Sequence, residues 1–196
     1  SGRGKKLTKP PVKIFAEVNN IEFKQPAMLK DNLLIDFLKT KEADLFVVFA
    51  YGHLIPEEIL KIFKKGALNI HTSLLPKLRG AAPIQRAIIN GDKLTGLTFM
   101  KMEKGLDTGP IYRQDHIEID HEETSDSLEK KMSKVSSSQI VEVIDLIAEN
   151  KFKLISQNNE SATYAPKISR EETIIQWSMK ANAIASLING LSPSPA

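Results

Sequence analysis

The run 43–50, ADLFVVFA, constrains the fold more than any other feature of this chain. It is almost continuously apolar and rich in β-branched and aromatic residues, without the polar alternation of a strand that has one wet face. It therefore predicts a strand covered on both faces, as in a parallel sheet. Tyr51-Gly52 breaks the run, Pro56 suits the first turn of a helix reaching about Phe63, and Gly66 ends that helix. Residues 67–70 then read as the next strand. Strand, helix and strand make a βαβ unit, expected to cross over right-handed. The fold class is thus α/β, and ligands in such sheets gather beyond the carboxyl ends of the strands. Tyr51-Gly52 and His71-Thr72-Ser73 occupy two such ends.

The remaining pattern fits around this unit. Residues 1–9 are basic and glycine-punctuated, a loop. Residues 12–17 predict a short helix, 21–23 a short strand and 32–39 an amphipathic helix. Residues 83–90 predict a helix stopped by Gly91, and 95–102 and 111–119 alternate as a hairpin. Residues 124–149 carry a long helical pattern, with Ser136-Ser137-Ser138 as the place for an interruption. Residues 156–169 are polar and loop-like, and 171–191 return to helical periodicity. The expected division is a catalytic domain over 1–154, a linker over 155–170, and the start of a second domain over 171–196.

Composition excludes several functions. There is no cysteine, so a disulfide framework, a thiol nucleophile and a cysteine zinc site are ruled out. No apolar run approaches the roughly 20 residues of a membrane span. No apolar segment follows the basic start, as a signal peptide would require, and a cytoplasmic location is expected. The net charge of +3 is too small to argue for nucleic acid by itself. Its distribution is more telling: Arg3, Lys5, Lys6, Lys9 and Lys13 all precede the first acid, Glu17.

Chemistry concentrates in NIHTSLLPKLRGAAPIQ, residues 69–85. Asn69 and His71 are two apart, which on a strand points both side chains to one face. The Asn69 amide can donate to a developing oxyanion, although a lone asparagine at a strand end is more simply a loop cap. His71 can act as a general base or, when charged, as an oxyanion stabiliser. His53, after a glycine at another strand end, is a weaker candidate; His116 and His121 stand among acids and read as solvent-facing. Asp107, in GLDTG over 105–109, can orient an imidazole, but a turn aspartate bonding its own backbone explains it at least as well. GxSxG and GxxxxGK[ST] are absent, Gly2 and Gly4 lack the strand that GxGxxG needs, and no spaced metal-ligand set surrounds His71.

Together, the 69–85 stretch and GLDTG resemble the folate-dependent formyltransferase family over nearly the whole chain. RGAAPIQ and the basic SGRGKKL start resemble, more narrowly, the branch that formylates initiator methionyl-tRNA, and SREETIIQW resembles its junction into a C-terminal domain. The resemblance implies a Rossmann-like domain that uses 10-formyltetrahydrofolate as co-substrate, without metal or covalent intermediate, acting as a monomer. It implies Asn69, His71 and Asp107 as the catalytic trio, with Asp107 keeping His71 oriented and charged. It places the pterin against Ala50, Tyr51, Gly52, His53 and Leu54 and against Ser73, Leu74, Leu75 and Pro76. It assigns Arg3, Lys5 and Lys6 to the tRNA acceptor arm. The family's opening strand–helix–strand and its closing β-barrel domain are not found in the chain, so a fragment is expected. Two alternatives stay open: the same chemistry on a small acceptor such as an amino sugar, glycinamide ribonucleotide or water, and a non-catalytic RNA-binding module.

Overall fold

The computed structural model describes residues 8–194. The chain divides into two compact units, Ser1–Lys41 and Glu42–Ala196. In the first, α1 (Pro11–Val18) begins on a proline, which sacrifices no helix hydrogen bond at that position. Helix α2 (Asn32–Thr40) is capped by Asp31, whose side chain accepts the Leu33 N–H at 2.9 Å. Residues 21–23, expected as a strand, form none. Among the described residues they find no partner strand, and Glu22 instead pairs with Lys41. The basic loop over 1–7, with Arg3, Lys5 and Lys6, lies outside the described residues.

The second unit runs β1 (Phe46–Phe49), α3 (Glu57–Leu60), β2 (Ala67–His71), β3 (Arg79–Gly80), α4 (Pro83–Ile89), β4 (Leu94–Lys101), β5 (Ile111–Glu118), α5 (Ser125–Ala148), β6 (Tyr164–Ala165) and α6 (Ala181–Leu191). Four strands form one sheet in the order β1-β2-β4-β5. β1 and β2 are parallel, as the βαβ reading requires, while β2–β4 and β4–β5 are antiparallel. β3 and β6 make a separate two-stranded parallel sheet. The core forms where Leu68, Leu97, Phe99 and Ile117 of the large sheet meet Leu128, Met132, Val143 and Ile147 of α5. These apolar positions of α5 recur at helical spacing, so one stripe of the helix is drawn out of water.

Several expectations change. β1 is four residues long and buries only Val48, because among the described residues it has a sheet neighbour on one side alone. Helix α3 stops at Leu60; Phe63 lies in the following turn and stacks on Phe46, ring centroids 4.9 Å apart. Helix α5 is not interrupted at its serine run. The hydroxyls of Ser136, Ser137 and Ser138 donate to the carbonyls of Ser133, Lys134 and Val135, which satisfies them inside the helix. Residues 156–169 contribute β6, with Ala165 fully buried. The helix expected over 171–191 begins only at Ala181: Ile174 and Trp177 are exposed, so the earlier apolar positions have nothing to pack on. Helix α6 itself lies close against α4, where a Cβ on Gly190 would stand 2.6 Å from Ile89. Among the described residues no helix is long and apolar enough to cross a membrane.

Candidate active site

A cleft of about 750 Å³ opens in the second unit, a size suited to a small-molecule substrate. Asn69 and His71 line it from β2, an inner strand whose backbone is paired on both sides. The pleat sets both side chains on one face, as their spacing predicts. Among the described residues the Asn69 carboxamide makes no side-chain hydrogen bond, so its two donors are available to a ligand in the cleft.

His71 is 6% exposed, and each ring nitrogen has its own neighbour. Nε2 lies 2.9 Å from the Leu78 carbonyl oxygen. A carbonyl only accepts, so Nε2 carries the hydrogen. Nδ1 faces Asp107 Oδ2 at 3.7 Å, beyond direct hydrogen-bond range. Nδ1 is therefore the nitrogen left for proton exchange, and a reacting group placed beside both atoms can bond to each. Asp107 Oδ2 accepts the Gly80 N–H at 2.9 Å.

The backbone is strained at this point. Leu78 (φ 58°) presents the carbonyl, Asp107 (φ 50°) presents the carboxylate, and Ala50 (φ 49°) turns the loop after β1 into the cleft wall. Such left-handed conformations are uncommon for leucine and alanine, easier for aspartate, and gather at functional sites. Gly80 (φ 117°) cannot be replaced freely either, because its Cβ would stand 2.9 Å from the Ala165 carbonyl oxygen across the small sheet.

The two loops expected to hold folate separate. Ala50, Tyr51, Gly52, His53 and Leu54 line the cleft. Ser73, Leu74, Leu75 and Pro76 do not. Ser73 is fully buried and donates to the Lys77 carbonyl at 2.6 Å, and Leu75 packs with Met100 and Ile111. Thr98 Oγ1 accepts the Leu75 N–H and donates to the Ser73 carbonyl, and Gln114 donates to the Leu75 carbonyl. The loop's polar groups are turned into the domain.

Other residues reach the site without having been expected there. Tyr164, Ala165 and Pro166 line the cleft from β6 and its exit. Gln157 Nε2 donates to the Asp107 carbonyl at 2.9 Å and to the Gly109 carbonyl at 2.7 Å. Its Oε1 accepts from Arg79, at 3.2 Å from Nε and 2.7 Å from Nη2. Arg79 and Gly80 stand inside the conspicuous 69–85 stretch, but no local pattern marks Gln157, fifty residues after Asp107. Among the described residues no group of three His, Cys, Asp or Glu side chains could hold a metal ion.

Comparison with known proteins gives this geometry a context. The chain is 44% identical over 195 residues to a methionyl-tRNA formyltransferase of Dictyoglomus thermophilum, a match covering 99% of this chain and 62% of that protein. It is 45% identical to one of Pelagibacter ubique, covering 100% of this chain and 63% of the other. It thus spans about 62% of the length of the curated relatives it matches. Among solved structures, a 4-N formyltransferase from Francisella tularensis superposes with a TM-score of 0.78 at 26% identity, over 94% of this chain and 74% of that one. The formyl transferase family matches residues 1–144, which take in the strand bearing Asn69 and His71 and the turn bearing Asp107, and the chain belongs to that family.

Proposed function

We propose that this chain is the formyl-transferring part of a methionyl-tRNA formyltransferase, moving the formyl group of 10-formyltetrahydrofolate to the amino group of initiator methionyl-tRNA. The observation that carries the reading is the juxtaposition of the Asn69 amide, His71 Nδ1 and the Asp107 carboxylate on one cleft. Relatives at 44–45% identity bear that enzyme's name, and a related sugar formyltransferase was solved with a formylated folate.

In this mechanism the Asn69 amide donates to the formyl oxygen as the amine adds to the formyl carbon and negative charge develops there. His71 Nδ1 and Asp107 stand where the attacking amine loses its proton. The Leu78 carbonyl holds the ring by Nε2–H, so Nδ1 alone faces the reacting atoms. A carbon–nitrogen bond forms to the methionyl amine, the bond to N10 of the folate breaks, and the proton released from the amine is returned to N10. The loop 50–54 bounds the folate, and Arg3, Lys5 and Lys6 meet phosphates of the acceptor arm. The reading is of a cytoplasmic, monomeric enzyme.

The test is a transfer assay with the full chain, 10-formyltetrahydrofolate and methionyl-initiator tRNA. Asn69→Ala should lower kcat by about 10²–10³-fold, as loss of one oxyanion donor does; turnover at the wild-type rate would sink the assignment. A second reading, formyl transfer to an amino sugar, is suggested by a sugar 3N-formyl transferase that shares the fold. Supplying sugar nucleotides beside methionyl-tRNA in the same assay separates the two.

A further inference from the structure

We infer that Gln157, locked by Arg79, is the positioning residue that holds Asp107 against His71, so that the working site extends past the formyl transferase family match into the segment 155–166. The inference rests on the proposed formyl transfer, and it starts from the buried Arg79. Its guanidinium, 2% exposed, makes three bonds, all to amide oxygens: two to Gln157 Oε1 and one to Asn159 Oδ1 at 2.9 Å. A charge withdrawn from water with only neutral acceptors around it is costly, so its placement calls for a purpose. It fixes the Gln157 amide: with Oε1 facing two donors, Nε2 must face the other way. There it finds the Asp107 and Gly109 carbonyls, on both sides of Thr108.

Those two bonds clamp the turn at the residue whose φ of 50° is left-handed. The next residue along from Arg79, Gly80, donates its N–H to the Asp107 carboxylate. The Arg79-Gly80 pair therefore holds Asp107 at both ends, the carboxylate directly and the backbone through Gln157. β3 and β6 supply the frame, because Arg79 pairs with Tyr164 and Gly80 with Ala165. The family match ends at residue 144, before either Gln157 or β6.

The test uses the full chain with Gln157→Met, which keeps the length and loses both donors, and Gln157→Glu, which keeps the acceptor alone and serves if the first variant does not fold. Kinetics, thermal melting and a crystal structure are measured on each. The expected result is a fall in kcat of about tenfold or more with KM for the folate within about twofold, the signature of a misplaced group rather than a lost binding contact. In an Asp107→Asn background the same substitution should cost less than twofold, because the group it positions is already gone. A tenfold loss persisting there means a merely structural role and overturns the inference. The crystal structure is read independently of activity: the Asp107 carboxylate should leave the Gly80 N–H. An unmoved turn overturns the inference even if wild-type enzyme transfers formyl groups, whereas an inactive wild type with a displaced turn indicts only the functional reading.

Discussion

The loops 50–54 and 73–76 both follow strands of the parallel pair, yet they end as opposites. The first carries no hydrogen bond to the rest of the unit among the described residues, exposes Tyr51 and Leu54, and faces the cleft. The second is fastened through Lys77, Thr98 and Gln114 and turns its leucine inward. Topology places ligand sites at strand ends, but it does not say which end stays open. That depends on whether neighbouring strands present polar groups that use up the loop's own. Thr98, on β4 opposite His71, does so for one loop, and among the described residues β1 has no such neighbour to offer the other.

Substituting the fastening group gives the largest expected effect. Thr98→Val removes the acceptor of the buried Leu75 N–H and the donor to Ser73, costing about 3 kcal/mol of stability. Denaturant unfolding would report it, and KM for the folate measured on the remaining folded protein should hardly change. A stable variant with a much raised KM would make the 73–76 loop a ligand wall, as the sequence suggested. A smaller effect of opposite kind belongs to the open loop. Tyr51→Ala should raise KM for the folate by about five- to tenfold, from lost aromatic contact, and leave stability within about 0.5 kcal/mol. If melting falls and KM stays, the two loops are not opposites.

A third segment offers the smallest effect. Residues 166–172 are tied to α4 by Arg86, which bonds the Pro166 carbonyl and pairs with the exposed Glu172. The Arg86 hydrogen bond, helped by the Ser169 N–H, lowers the Glu172 carboxyl from 4.5 to about 2. Because the folded value is depressed, the pair's contribution is complete above about pH 4.5 and fades as pH falls through 2. Wild type should melt slightly above Glu172→Gln at pH 7, with the gap closing toward pH 2; the gap is small because the pair is exposed. A gap unchanged by pH would show that packing, not charge, fastens this segment.

Where the local pattern was strong, the sequence was readable. Apolar spacing in 124–149 yields α5, and the run around Val48 with the strand after Gly66 yields the parallel pair. Where apolar spacing lacked a partner it misled: 171–180 has the periodicity of a helix, but none of the described residues covers Ile174 or Trp177. At the site, the two-residue spacing put Asn69 and His71 on one face, and the glycines around Asp107 announced a tight turn.

What the amino-acid order determined by itself was thus the α/β class, the strand carrying the amide and the imidazole, and the acid-bearing turn. These follow from periods of two and three to four residues and from glycine's freedom, all local properties of the chain. Tertiary structure alone decided which nitrogen of His71 faces Asp107, which of two strand-end loops opens to the cleft, and that Arg79 reaches Gln157. Each depends on hydrogen-bond partners brought together across long stretches of sequence, 78 residues in the case of Arg79 and Gln157. A side chain's partners are set by which groups burial leaves within reach, and spacing along the chain carries no record of that.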